Sequence, residues 1–163
     1  VMLKTKRARF PVLTIPAQQA LGIPRRQHIA PSHFRHTFYV YTVAAWCDRM
    51  GYEHRIEHSE QGVQGRIDVL STSPDNTRTA YEITLSNNND EIVSNVIKCL
   101  HHFRVDRCCI VTETVDHYRA IRDMLSLQPS LDEHDHERIT YAKIAEFIPE
   151  KGPEKKSGKK STQ

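Results

Sequence analysis

Residues 66–86 read RIDVLSTSPDNTRTAYEITLS, and this stretch decides the fold. Two runs that alternate apolar and polar residues flank SPDNT at 73–77, a cluster of strong turn formers. The pattern predicts a β-hairpin with strands over 66–71 and 79–86. The position numbers of Asp68 and Glu82 average to the centre of the turn, so the two residues directly oppose each other in an unbulged antiparallel hairpin.

The two acids are therefore expected to share one face of the hairpin. Directly opposed residues have Cβ atoms about 5 Å apart, and strand alternation puts Thr84 on the same face. Carboxylates this close repel each other unless a cation or a shared proton intervenes. Their oxygen atoms suit Mg²⁺ or Mn²⁺ better than zinc. The alternative is a pair of solvated acids on an exposed sheet face. The opposite face is apolar and is expected to be the packed one, with Ile67, Val69, Tyr81, Ile83 and Leu85.

Hydrophobic spacing and capping residues predict the remaining elements. Helices are expected over 32–49, with Ser32 as its cap, over 88–103 and over 115–127. Strands are expected over 52–59, 107–112 and 138–141. The acidic, histidine-rich stretch 132–137 is interpreted as a solvated loop. A helix, three strands and then alternating helices and strands predict an α/β fold, with a sheet of mixed strand direction flanked by helices.

Composition predicts one soluble globular domain between two basic ends. The chain has 163 residues, of which 38% are hydrophobic and 26% charged. We expect an N-terminal arm over 1–30, the domain over 31–150 and a disordered basic tail over 151–163, which has no apolar residue to bury. Residues 1–9 and 151–163 each carry a net charge of +4, and residues 10–150 carry −5. Basic ends can bind phosphates or simply keep a chain soluble.

The cysteines and the hydropathy of the sequence indicate in which cellular compartment the protein is expected. The four cysteines lack any CxxC spacing and are interpreted as buried free thiols in a reducing environment. The sequence contains neither a long apolar run nor a secretory signal pattern. We therefore expect a cytoplasmic protein without a membrane partner. The sequence also lacks a phosphate-binding glycine-rich loop and a Gly-x-Ser-x-Gly elbow, which argues against nucleotide hydrolysis and acyl transfer.

Four short motifs together resemble the restriction-endonuclease-like PD-(D/E)XK nuclease superfamily. They are GRIDV at 65–69, YEIT at 81–84, a helix carrying Glu91, Asn95 and Lys98, and CIVT at 109–112. The similarity covers residues 33–112. It is greatest to the small nuclease-like domains of mobile elements and of DNA-translocating conjugation ATPases. The resemblance implies a restriction-endonuclease-like αβββαβ core and a metal-dependent DNA nuclease that hydrolyses phosphodiester bonds. Its implied partners are DNA and a larger DNA-processing or translocating protein.

The resemblance also implies the site residues. Asp68 matches the motif aspartate and Glu82 the motif glutamate, and these two, with the backbone carbonyl of Ile83, would hold Mg²⁺ or Mn²⁺. The motif lysine position is occupied by Thr84, which carries no positive charge. Lys98 lies on the polar face of the following helix and is the expected replacement, so the implied catalytic residues are Asp68, Glu82 and Lys98. Alternatively, that polar face is only the solvated side of the helix, and the chain is a catalytically degenerate nuclease-fold module for DNA binding or protein docking.

Three further residues are weaker candidates. His33 and His36 lie on the first helix, where some members of the superfamily place a ligand or a base, but surface or capping roles are the favoured interpretation. Glu57 ends the first predicted strand and could join the carboxylates, or simply be solvated. A small-molecule enzyme is a third hypothesis, but no motif in the sequence supports it.

Overall fold

The computed structural model describes residues 2–4, 9–11 and 31–149. The chain divides into two units, residues 1–34 and 35–163. In the first unit, β1 (Met2–Lys4) pairs antiparallel with β2 (Arg9–Pro11). The predicted disordered tail over 151–163, and most of the predicted arm over 1–30, lie outside the described residues.

The second unit is built on a five-stranded sheet of order β3-β4-β5-β6-β7. Its strands are β3 (Glu53–His58), β4 (Ile67–Thr72), β5 (Arg78–Ile83), β6 (Arg107–Thr112) and β7 (Ile139–Lys143). The first three form an antiparallel meander, and the pairs β5–β6 and β6–β7 are parallel. A parallel neighbour needs a crossover, which is why a helical segment separates β5 from β6. The predicted α/β class with a mixed sheet flanked by helices is confirmed.

Six helical segments surround the strands along the described part of the chain. They are α1 (Pro31–Met50), α2 (Asn89–Ile97), a π-helix (Lys98–His102), α3 (Val115–Leu125), α4 (Glu133–Arg138) and a 3₁₀-helix (Ile144–Phe147). Helix α1 begins at Pro31, so Ser32 lies inside its first turn and is not its cap. Proline suits the first helical position because the amide hydrogen it lacks would have no intrahelical partner there. The caps of α2 and α3 are Asn88 and Thr114, whose side chains accept from backbone N–H groups.

The hairpin has the predicted register. Val69 pairs with Tyr81 and Ser71 with Thr79, so each pair is centred on position 75 in the turn. Turn chemistry and alternation are local properties of the sequence, and they suffice to fix which residues oppose each other.

The expectation that one sheet face presents its acids to solvent is wrong, because helices cover both faces. One hydrophobic cluster joins α2, the π-helix and α3 to Leu70, Ala80 and Ile110. The other joins α1 and the 3₁₀-helix to Val69 and Tyr81. Glu82 is consequently only 4% exposed.

Alternation is also broken at Asp68. Ile67 packs in the same cluster as Leu70, whereas Val69 packs in the opposite cluster. Regular alternation would put Ile67 and Val69 on the same face. Strand β4 therefore changes its orientation at Asp68. The expectation that Asp68 and Glu82 share one face is wrong, because Asp68 contacts α1 on one side of the sheet and Glu82 contacts the π-helix on the other.

The stretch predicted as a solvated loop over 132–137 is largely helical, which corrects that expectation. The Asp132 side chain caps α4 by accepting a hydrogen bond from the backbone N–H of Asp135. The Asp135 side chain in turn accepts a hydrogen bond from the backbone N–H of Asp132. Asp135 is buried and ion-paired with His101 and Arg138. Its pKa is lowered, because the hydrogen bond from His101 and the nearby charges outweigh the cost of burial.

Cys47, Cys99, Cys108 and Cys109 are buried free thiols, as predicted. In the part of the chain that the structure describes, no helix combines the length and apolar character needed to cross a membrane.

Candidate functional site

Asp68 lies where strands β4 and β5 part. The described backbone pairing between the two strands reaches Val69 and Tyr81. One residue further, Asp68 Oδ2 accepts from the backbone N–H of Ile83 at 2.8 Å. The same oxygen lies 3.1 Å from Nε2 of His36 on α1. The Asp68 carboxylate thus accepts the hydrogen bond from Ile83 that a backbone carbonyl of β4 would accept if the pairing of β4 and β5 continued.

Glu82 faces the opposite helical layer. Its Oε1 lies 3.4 Å from Lys98 Nζ and accepts from the Cys99 thiol, also at 3.4 Å. Burial, followed by the charge of Asp68, raises the pKa of Glu82 to about 7, and the Lys98 ammonium acts against that rise. Asp68 and Glu82 therefore influence each other electrostatically, although α1 contacts the first and the π-helix contacts the second.

Lys98 opens the π-helix, and its ammonium group is fixed by oxygen atoms. It donates to Asn95 Oδ1 at 3.0 Å and to the backbone carbonyl of Arg66, in addition to its contact with Glu82. Its side chain is only 13% exposed. The wider turn is closed by a bond from Phe103 N to the Lys98 carbonyl at 3.0 Å. Single π-turns inside helices occur frequently at functional sites. The structure thus brings Lys98 beside Glu82, as expected from the polar face of the predicted helix.

His36 contacts Asp68, a pairing that the sequence did not predict. Its hydrogen bond to Asp68 raises its pKa above the usual 6.5, and the charges of Asp68, Glu82 and Glu57 add to the rise against the opposing cost of burial. The contact joins residues 32 positions apart. A single sequence carries no local pattern that reports a pairing at this distance.

The other predicted residues lie at the periphery. Thr84 continues the parallel pairing by donating its N–H to the Val111 carbonyl at 2.9 Å. Glu57 is exposed, has a φ of +48° and is ion-paired with Arg66 at 3.1 Å. His33 is exposed. In the described part of the chain, the hydrogen bonds and ion pairs of the two central carboxylates involve none of these three residues.

A second carboxylate contact near the end of β6 was not expected from the sequence. Tyr39 donates to Glu113 Oε1 at 2.6 Å, and Arg35 Nε lies 3.5 Å from the same oxygen. Burial and the bond to Glu113 raise the pKa of Tyr39 to about 12, so this phenol stays protonated near neutral pH. This hydrogen bond joins α1 to Glu113, which directly follows β6. Glu113 lies two residues after Val111, whose carbonyl accepts from Thr84.

The oxygen atoms at the centre match the preference of Mg²⁺ and Mn²⁺ for hard ligands. Both hydrogen bonds described for Asp68 involve Oδ2. One of them comes from the backbone N–H of Ile83, the residue whose carbonyl is the third candidate ligand. Over residues 33–149, no group of three or more His, Cys, Asp or Glu side chains is arranged to hold a metal by itself. Mg²⁺ commonly binds through one or two carboxylates and takes water or substrate phosphate as its other ligands. The residues present fit that mode of binding.

No family, curated protein or solved structure matches the chain. Its function is therefore inferred from the chemistry of this site.

The ion pair between His36 and Asp68 predicts a pH-dependent contribution to stability. Because the pKa of His36 is raised on folding, this contribution is complete below pH 6.5 and disappears as pH rises through the folded pKa. His36→Gln should therefore lower the free energy of unfolding at pH 5.5 more than at pH 8.5. Urea unfolding in EDTA at both pH values measures this. His134→Gln, at an exposed histidine 3.9 Å from Glu137, is the control, and an effect of His36→Gln that is equal at the two pH values would contradict the assignment.

Gly65 is predicted to position Lys98. Gly65 has a φ of +95°, and a Cβ added there would lie 3.0 Å from Lys98 Cδ. Gly65→Ala should cost about 1–2 kcal/mol of stability from backbone strain and push the lysine away from Glu82. Gly62→Ala is the matched control, since Gly62 has a φ of +81° and nothing within 4 Å of an added Cβ.

Both glycine variants should unfold more easily in urea, but only Gly65→Ala should raise the pKa of Glu82 further, as followed by ¹³C NMR of the carboxyl group. Identical Glu82 titration in the two variants would show that Gly65 does not position the lysine.

Proposed function

We propose that this chain is a metal-dependent DNA nuclease that hydrolyses phosphodiester bonds on a restriction-endonuclease-like αβββαβ core. Its proposed catalytic residues are Asp68, Glu82 and Lys98. One observation carries the proposal. A buried glutamate and a fixed lysine lie 3.4 Å apart, beside an aspartate held between two parting strands. A cation at this place would stabilise the negative charge that develops on the phosphate oxygens during hydrolysis, and the carboxylates would serve as ligands of a metal ion.

Asp68, Glu82 and the Ile83 carbonyl would hold Mg²⁺ or Mn²⁺. Such an ion, when bound, polarises the phosphate and lowers the pKa of water. The chain's own groups do the remaining work. His36 orients the Asp68 carboxylate, and the Lys98 ammonium, already fixed by Asn95, orients the attacking water and stabilises the charge that develops on the phosphate.

The burial of Glu82 adds a pH dependence to this chemistry. Its pKa near 7 in the metal-free protein means that a proton must leave before the carboxylate can act as a ligand. Activity should accordingly rise as pH increases through neutrality, and a protein kept below this range should bind the ion more weakly.

The nuclease assay is cleavage of single-stranded, duplex and branched DNA in Mg²⁺ or Mn²⁺, with EDTA as the control. Cleavage of at least one of these DNAs that depends on the metal supports the proposal. Absence of cleavage of all three with either ion would overturn it.

We further propose that the protein acts in the cytoplasm with a larger DNA-processing or translocating protein.

The alternative function is a catalytically degenerate module that binds DNA or docks a protein. Thr84 at the motif lysine position favours it, because a threonine hydroxyl supplies no positive charge. If the wild type is inactive, Thr84→Lys tests whether the missing charge is the reason. Metal-dependent cleavage by this variant would show that the rest of the site is complete, and continued inactivity would show that the module lacks more than the lysine.

A further inference from the structure

We propose that a groove beside Lys98 binds the sugar-phosphate backbone of the DNA strand, independently of base sequence, and leads it to Glu82. This inference rests on the proposed nuclease function and adds where the substrate lies. The groove has a volume of about 750 Å³, within the usual range for ligand sites. We call it the strand groove, and its main residues are Gln64, Gly65, Arg66, Asn95, Lys98 and His102.

The side chains of the strand groove suit phosphate rather than bases. Its wall combines amide side chains, the basic Arg66 and Lys98, the His102 imidazole and the apolar Val93 and Ile97, with Asp90 as the one acid among the described lining residues. Those residues include no Phe, Tyr or Trp, and the His102 imidazole is the one ring among them. Proteins that hold bases usually stack them on aromatic rings, whereas phosphate contacts come from Arg, Lys and polar side chains and carry no sequence information. The groove therefore fits a backbone.

Arg66 is the group best placed to exchange its partner for a phosphate. Its side chain is 67% exposed, and its guanidinium is paired with Glu57, whose side chain is 59% exposed. An exposed ion pair of this kind contributes little to stability, so replacing the carboxylate by a phosphate costs little. His102 is exposed further along the groove.

Lys98 connects the strand groove to the catalytic residues. It lines the groove, and its ammonium group lies 3.4 Å from Glu82. That ammonium group donates hydrogen bonds to Asn95 and to the Arg66 carbonyl. It therefore lies at the inner end of the groove and is not free to move toward a phosphate bound further out. A backbone bound along Arg66 and His102 would bring a phosphate next to the Glu82–Lys98 pair.

The test is DNA binding without metal, which separates it from cleavage. Fluorescence anisotropy in EDTA would follow two labelled duplexes of different base composition between 50 and 200 mM salt. Arg66→Ala should weaken binding about tenfold and reduce the slope of log K against log salt by about 0.9, equally for both duplexes. Arg66→Lys should recover most of the lost affinity, and circular dichroism would verify folding.

Arg119→Ala is the matched control, because Arg119 is 59% exposed and also lies in a surface ion pair, with Asp116. It should leave affinity and slope unchanged. The inference is overturned if Arg66→Ala matches this control, or if its effect differs between the two duplexes. Metal-dependent cleavage with DNA binding insensitive to Arg66→Ala would refute the strand groove alone. Binding sensitive to Arg66→Ala without cleavage of any DNA would refute the nuclease alone.

Discussion

Lys98→Ala is expected to slow DNA cleavage by two to three orders of magnitude. The substitution removes the cation 3.4 Å from Glu82, and loss of a group that stabilises transition-state charge typically costs about 3–4 kcal/mol. DNA affinity in EDTA should stay near that of the wild type, because the ammonium group is bonded inside the protein. Single-turnover cleavage at saturating protein measures the effect.

Lys143→Ala is the control for Lys98→Ala, since Lys143 is a partly exposed lysine paired with Glu146 at 3.7 Å. Thr84→Lys in the Lys98→Ala background should restore part of the activity by returning a cation to the motif position. Cleavage by Lys98→Ala at the wild-type rate would refute the replacement of the motif lysine by Lys98.

Asp68→Asn is expected to reduce metal-dependent cleavage by at least about a thousandfold, because it removes an anionic ligand and with it several kcal/mol of transition-state stabilisation. The asparagine oxygen can still accept from the Ile83 N–H, which Asp68 holds at 2.8 Å, so the fold should survive. The same substitution removes the charged hydrogen-bond partner that raises the pKa of His36, and the charge that adds to the effect of burial on the pKa of Glu82. Both values should fall, as measured by NMR titration.

These titrations distinguish a chemical loss from unfolding of the Asp68→Asn variant. An unfolded variant would show the ordinary pKa values of both residues and no dispersed NMR spectrum. Cleavage by Asp68→Asn at the wild-type rate, with a normal spectrum, would exclude Asp68 from the catalytic residues.

Part of this arrangement could be predicted from the sequence because it is local. Turn formers at 73–77 set the hairpin register, and the polar face of the helix predicted over 88–103 carries Lys98, which contacts Glu82. Strand β6 has the predicted bounds, because a short apolar run between polar segments is typical of a strand buried on both faces.

The remainder depends on contacts that sequence periodicity does not record. The bond from Ile83 N–H to Asp68 replaces a backbone pair and breaks the alternation of β4. The helix changes from α to π at Lys98, where Cys99 and Leu100 enter the hydrophobic cluster. The buried Asp135 is paired with His101, which lies 34 positions away in the sequence. Each is a tertiary contact that overrides a local preference.

The most direct test of the proposed metal site is a calorimetric titration of the metal-free protein with Mn²⁺, compared with Asp68→Asn. We predict one or two stoichiometric ions bound to the wild type. Protons should be released on binding near pH 7, because Glu82 must ionise, and both signals should be lost in Asp68→Asn. Equal Mn²⁺ binding by the two proteins, or no stoichiometric binding by the wild type, would contradict the metal-dependent nuclease and favour the degenerate module.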